Sequence, residues 1–205
     1  MKILFQGDSI TDADRSREKE YKLGEGYPRL VEASLGFDQP EQYEFLNRGV
    51  SGNRVVDLYA RIKKDLINLA PDVLSILIGV NDVWHEIAHQ NGVDADKYFK
   101  IYCMLIEEVR EALPNVKIMI LEPFVLKAGA TEESWEEFDV GVRKNAEMAR
   151  KVAEKYGLCF VPLQEGFDNL CKQAPEEYWL RDGVHPTAKG HEFIKREWLR
   201  AFATL

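Results

Sequence analysis

The sequence has no apolar run approaching the roughly 18 residues that a membrane span needs. It also lacks a disulfide framework. Cys103, Cys159 and Cys171 are odd in number and show no CxxC spacing. They read as reduced thiols of an intracellular protein, mostly filling the core. There is no long Lys/Arg run, no repeat, no low-complexity tract and no Gly/Ser linker. Acidic residues exceed basic ones by 35 to 27, giving a net charge of −8. Phosphate backbones and anionic lipid surfaces repel such a chain, so nucleic acid and membrane are not expected partners. Ile3-Leu4-Phe5 ahead of Gln6 falls short of the roughly 7–15 apolar residues of a signal-peptide core, so a cytoplasmic location is expected.

What is present is a chain of 205 residues, 45% hydrophobic, which suits one globular domain over residues 1–205. Short apolar runs alternate with longer amphipathic ones. Strands are predicted at Lys2–Gln6, Tyr43–Asn47, Val73–Ile78, Val116–Leu121 and Cys159–Val161, and helices at Tyr27–Leu35, Val55–Leu69, Ala95–Leu113, Ser134–Tyr156 and Ala188–Phe202. Tyr98, Tyr102, Leu105 and Val109 form one buried helical stripe. Solidly apolar strands, each followed by a helix, indicate an α/β fold: a parallel sheet of about five strands covered on both faces.

Ligands of such sheets bind beyond the carboxyl ends of the strands. The segments there are Gly7-Asp8-Ser9-Ile10-Thr11, Asn47 to Asn53, and Gly79-Val80-Asn81-Asp82, all small, polar and glycine-rich. A serine hydroxyl becomes a nucleophile when a base, usually a carboxylate-oriented histidine, takes its proton. Arg181-Asp182-Gly183-Val184-His185-Pro186 supplies both partners, and Gly183 permits a tight turn between them. Acyl transfer also needs donors for an oxyanion. The candidates are the backbone N–H groups of Ser9 and Gly52 and the side-chain amide of Asn81. Asp8 and Asp82 read as loop-fixing carboxylates.

The blocks Gly7-Asp8-Ser9, Gly49-Val50-Ser51-Gly52-Asn53, Gly79-Val80-Asn81-Asp82 and Asp182-Gly183-Val184-His185 resemble, in order and across nearly the whole chain, the four signature blocks of the SGNH (GDSL-type) hydrolases. The resemblance implies a flavodoxin-like three-layer α/β/α sandwich. It also implies Ser9 as nucleophile, Gly52 and Asn81 as oxyanion donors, Asp182 as orienting acid and His185 as base, with no cofactor. Ser51-Gly52-Asn53, the segment from Ile78 to Trp84, and Glu122-Pro123-Phe124 resemble the intracellular acetylxylan esterases of that family. The function this implies is hydrolysis of acetyl esters on xylo-oligosaccharide or similar carbohydrate. Trp84 and Trp179, close in sequence to Asn81 and Asp182, are candidate platforms for a sugar ring. Lysophospholipid, thioester and aryl ester are alternative substrates for the same triad.

His85-Glu86-Ile87-Ala88-His89 matches H-E-x-x-H, so a zinc hydrolase using His85 and His89 is a competing reading. It is disfavoured because the segment falls in a strand-to-helix connection and Asn91-Gly92 ends any helix within about two turns. His191, with no carboxylate three residues before it, reads as a partly exposed helical residue. A silent carbohydrate-binding domain is a further reading, and it leaves the nucleophile–base pair without purpose. A small-molecule or oligosaccharide ester is the expected partner. The sequence does not decide whether the chain forms a homo-oligomer.

Overall fold

A computed structural model describes residues 1–205. Its centre is a five-stranded, all-parallel sheet in the order β2-β1-β3-β4-β5. The strands are β1 (Lys2–Gly7), β2 (Glu44–Asn47), β3 (Val73–Leu77), β4 (Lys117–Leu121) and β5 (Cys159–Val161). All five residues of β3 are buried, as expected of a central strand covered on both faces.

Side chains alternate across β1. Ile3 and Phe5 pack with Tyr27, Val31 and Leu35 of the helix Tyr27–Asp38, and with Ile194 and Trp198 of the helix Ala188–Phe202. Leu4 points the other way, toward Tyr98, Tyr102, Leu105 and Val109 of the helix Ala95–Ala112 and toward Val152 of the helix Trp135–Tyr156. The result is the three-layer α/β/α arrangement that the apolar strands imply. Caps set several boundaries. Asp94 Oδ1 accepts from the Lys97 N–H at 2.9 Å, and Gly157, at φ +62°, ends the helix before β5. No helix is long and apolar enough to cross a membrane.

Two expectations need correction. The single helix expected over Val55–Leu69 is broken into Val55–Ala60, Ile62–Asp65 and a 3₁₀ turn at Ile67–Leu69. Arg61 lies at the first break, and its guanidinium bonds the carbonyls of Gly7 (3.1 Å) and Arg48 (2.8 Å) and the Asn53 side chain (2.7 Å). The strand-to-helix connection expected after Asp82 is already helix: Val80–His89 begins directly after Gly79 and contains Asn81 in its first turn.

The order 2-1-3-4-5 reverses direction between β1 and β3, which leaves a crevice at their carboxyl ends. Gly7 is the last residue of β1 and pairs with Leu77, the last of β3. The chain therefore delivers the Ser9 and Asn81 loops side by side at that crevice.

Candidate active site

Ser9 opens a single helical turn, Ser9–Asp12, whose cap is Asp8: Asp8 Oδ1 accepts from the Ile10 N–H at 3.0 Å. The first N–H groups of such a turn have no partner within it, so the Ser9 N–H is available to a ligand. Asn47 couples this turn to the loop after β2. Its amide donates to the carbonyls of Thr11 (2.6 Å) and Leu23 (2.8 Å), and its carbonyl accepts from the Gly49 N–H (2.8 Å). Asp12 Oδ2 completes the tie by accepting from the Ser51 N–H and hydroxyl, both at 3.1 Å. Asn47, Asp12 and Arg61 were not singled out from the sequence. The one local signal was the Asn47-x-Gly49 spacing, which suits an Asx turn.

Asp182 and His185 come from the far end of the chain. Leu180 and Pro186 bridge antiparallel across the hairpin that holds them. At its tip Gly183 has φ +86°, and a Cβ there would lie 2.4 Å from the Leu126 carbonyl oxygen and 2.3 Å from Thr131 Oγ1. Only glycine allows this turn, which folds the carboxylate back onto the imidazole. Asp182 Oδ2 lies 2.7 Å from His185 Nδ1, while Oδ1 accepts from the backbone N–H groups of His185 (2.8 Å) and Val184 (3.1 Å). His185 Nε2 lies 2.9 Å from Ser9 Oγ. Burial pushes the Asp182 carboxyl upward, but the bonds from the His185 ring and backbone outweigh it and hold the group at about 2. Asp182 is thus an ionised acceptor, Nδ1 must carry the proton it accepts, and Nε2 presents its lone pair to the serine.

Beside the serine is a pocket of about 350 Å³ lined by Ser9, Ser51, Gly52, Asn81, Trp84, His85, His89 and His185. Gly52 has φ +81°, and the Asn53 N–H closes the turn onto the Val50 carbonyl at 3.1 Å. Asn81 is 6% exposed and donates one amide hydrogen to the Asn53 carbonyl at 3.1 Å. An amide has a second hydrogen, which that bond does not use. Trp84 leans on the His185 ring at 5.9 Å and on Phe138 at 5.8 Å, so it braces the histidine as well as lining the pocket.

The structure brings Ser9, Asp182, His185, Gly52, Asn81 and Trp84 together. It does not bring Trp179, which lines a separate cavity with Leu170 and Phe193. The short helix Glu176–Trp179 turns that indole back onto the core, where Nε1 donates to the Ala174 carbonyl at 3.3 Å. His191 is also corrected: it is buried, and its Nδ1 accepts from the Tyr27 N–H at 3.2 Å. Burial first, then the Arg181 and His185 charges, hold its ring at about 4, hence neutral. A larger cavity, about 760 Å³ and lined by Glu86, Asp94, Glu137 and Lys144, contains neither Ser9 nor His185.

His85 and His89 stand on the pocket rim, but the arrangement is not that of a zinc hydrolase. Glu86 turns away and accepts from the Gly92 N–H at 2.9 Å, and no group of three His, Cys, Asp or Glu side chains converges there. His85 is held below the usual imidazole range by burial, then by Arg54 and His89, which favours its neutral form.

Asp8 and Asp82 lie buried beneath the site. Asp82 accepts from the Val55 N–H at 3.0 Å, and Asp8 Oδ2 has no hydrogen-bond partner. Burial dominates and raises their carboxyls to about 7 and about 8, with repulsion from Asp12 adding to the effect at Asp8 and repulsion from Asp8 adding to it at Asp82. Between the ordinary value of 3.8 and about 8, the folded chain holds protons that the unfolded chain has released, so stability falls as pH rises through that window. Asp82→Asn keeps the acceptor for Val55 and cannot ionise. Its melting temperature relative to wild type is therefore expected to climb steadily from about pH 5 to about pH 8. The His191 contribution has the opposite sign and is common to both proteins, so it cancels. A pH-independent difference would contradict the buried, proton-holding state of Asp82.

Comparison with known proteins places these features in a wider group. Residues 5–193 match the GDSL-like lipase/acylhydrolase family. An acetylxylan esterase from Geobacillus stearothermophilus is 33% identical over 209 residues, spanning 97% of this chain and 92% of that protein. Its crystal structure superposes with a TM-score of 0.86 at 32% identity, covering 98% of this chain and 93% of that one. A protein of Parabacteroides merdae described as a GDSL-like lipase superposes at 0.91 with 39% identity, covering 98% and 95% of the two chains.

Proposed function

The chain belongs to the GDSL-like lipase/acylhydrolase family and is a carboxylic ester hydrolase, and from that premise we propose that it removes short acyl groups, acetyl above all, from xylo-oligosaccharide or a similar carbohydrate through an acyl-enzyme on Ser9. The observation that carries this reading is the unbroken relay from Asp182 to His185 to Ser9, at 2.7 and 2.9 Å, opening onto a pocket that also holds Gly52 and Asn81.

In the proposed reaction, His185 Nε2 takes the hydroxyl proton as Ser9 Oγ attacks the ester carbonyl carbon. Negative charge builds on the carbonyl oxygen and is met by the N–H groups of Ser9 and Gly52 and the free amide hydrogen of Asn81. Asp182, ionised, stabilises the imidazolium. Collapse expels the alcohol with the proton from His185, and water repeats the sequence on the acyl-enzyme.

The pocket also supports the substrate reading. Apart from Trp84 its lining is polar, which suits a short acyl group on a hydroxylated alcohol rather than a long lipid chain. The relative named acetylxylan esterase supports the same choice. The reading takes the whole chain as one SGNH domain, consistent with a family match over most of its length. A cytoplasmic setting suits three free thiols.

The test is a panel of acetyl, butyryl and octanoyl nitrophenyl esters beside acetylated xylo-oligosaccharide. Turnover is expected to fall steeply with acyl length, and acetate is expected from the oligosaccharide. Faster turnover of octanoyl ester would move the substrate class to lipids. No metal takes part in the proposed reaction, so exhaustive dialysis against EDTA should not lower turnover. A loss reversed by zinc would favour a metal-dependent hydrolase.

A further inference from the structure

The helix Val80–His89 ends in two imidazoles that take no part in the proposed acyl transfer. His85 and His89 are four residues apart, so they share one face of the helix. Their ring centroids are 5.9 Å apart with planes at 81°. Two imidazoles bound to one tetrahedral ion through Zn–N bonds of about 2.0–2.1 Å have centroids roughly 5 Å apart. His89 is exposed and free to close the difference by rotating about its side-chain bonds.

Both rings line the pocket that contains Ser9. His85 Nε2 lies 4.0 Å from the point where a Cβ on Gly52 would sit, and no other atom outside Ser51–Asn53 comes within 4 Å of that point. An ion on His85 Nε2 would therefore occupy the open space in front of Gly52. Arg54, whose charge acts on His85, is partly neutralised by Asp57, which takes bonds from its Nε at 3.0 Å and its Nη2 at 3.2 Å.

We propose that His85 and His89 form a two-histidine site for a divalent transition-metal ion, and that an ion held there closes the Ser9 pocket to ester. Imidazole ligands select zinc, nickel or copper over magnesium and calcium, which prefer oxygen. With no third protein ligand, water completes the coordination, so binding is reversible. The ion and its waters fill the approach to the Gly52 N–H, where the ester carbonyl must arrive. The site is inhibitory, and this inference rests on the reading of the Ser9 pocket as the ester site.

The test uses chelator-stripped protein, with zinc binding followed by equilibrium dialysis and ester hydrolysis measured in parallel. Wild type is expected to bind one zinc per chain and to lose turnover in step with occupancy, while magnesium does neither. His89→Gln and His85→Gln, each compared with its own metal-free rate, are expected to weaken both binding and inhibition at least about tenfold, the size seen even for losing an outer-shell partner. Absence of zinc binding to wild type would overturn the site. So would binding and inhibition undiminished in both variants, which would put the ion on His185 and Asp182. Binding without inhibition would overturn the closing role. Dialysis needs no turnover, so zinc binding weakened in the variants upholds the site even where the ester panel fails.

Discussion

Ser9→Ala is expected to lower ester turnover on the order of a thousandfold or more while leaving the fold intact. The size follows from triad members acting as a unit: without the hydroxyl, His185 has no nucleophile to activate, and Asp182 has nothing to support through it. Rate above the water reaction would persist, because the oxyanion donors and the pocket are still present. The side chain makes one hydrogen bond, to His185 Nε2, and Ser9 begins a turn whose cap is Asp8. Alanine preserves both backbone and cap, so the melting curve should barely move. The readout is kcat on a short-chain nitrophenyl ester beside that melting curve. Near-normal turnover in a folded protein would remove Ser9 from the mechanism.

Asn81→Ala is expected to cost about 100–1,000-fold in turnover, or roughly 3–4 kcal/mol, with a much smaller change in KM. The proposed bond is to an oxygen that carries more charge in the transition state than in the bound ester, and only such differential binding speeds the chemical step. A structural role makes a different forecast. Asn81 already donates to the Asn53 carbonyl, so its loss could loosen the loop that carries Gly52. That would lower the melting temperature and shift kcat and KM together. Steady-state kinetics and thermal melting on one preparation separate the two. A mutant that melts several degrees early with near-normal turnover would leave only the Ser9 and Gly52 donors.

The sheet was legible because a strand buried on both faces must be apolar throughout. Strands begin at Lys2, Val73 and Cys159 and end at Asn47, Leu121 and Val161 as the sequence predicts, and the other four boundaries shift by one residue. The break at Arg61 was not legible. No proline or glycine marks it, and the carbonyls its guanidinium meets belong to residues 13 and 54 positions away. Helix Val80–His89 is absent from the expected helices, because Asn81 and Asp82 read equally well as loop residues and the polar segment after them reads as a strand-to-helix connection.

Within the site, the residues clustered in short motifs were visible, since adjacent positions carry adjacent roles. The ties between motifs were not: Asn47 to Thr11 and Leu23, and Asp12 to Ser51, depend on how the loops pack. Trp179 and His191 show the reverse error. Nearness in sequence to Asp182 does not bring Trp179 to the serine, and a helical position alone could not reveal that His191 packs under the Tyr27 N–H.

The central claim is that Ser9 Oγ is the atom acylated in turnover. Treatment with a fluorophosphonate, followed by intact-mass and peptide analysis, tests it most directly, because that reagent reacts with an activated serine and stays attached. One adduct per chain on the peptide containing Ser9, formed at the rate activity is lost and much slower in His185→Ala, is the predicted result. Full loss of activity with the adduct on any other residue, or sustained turnover by protein fully labelled at Ser9, would contradict it.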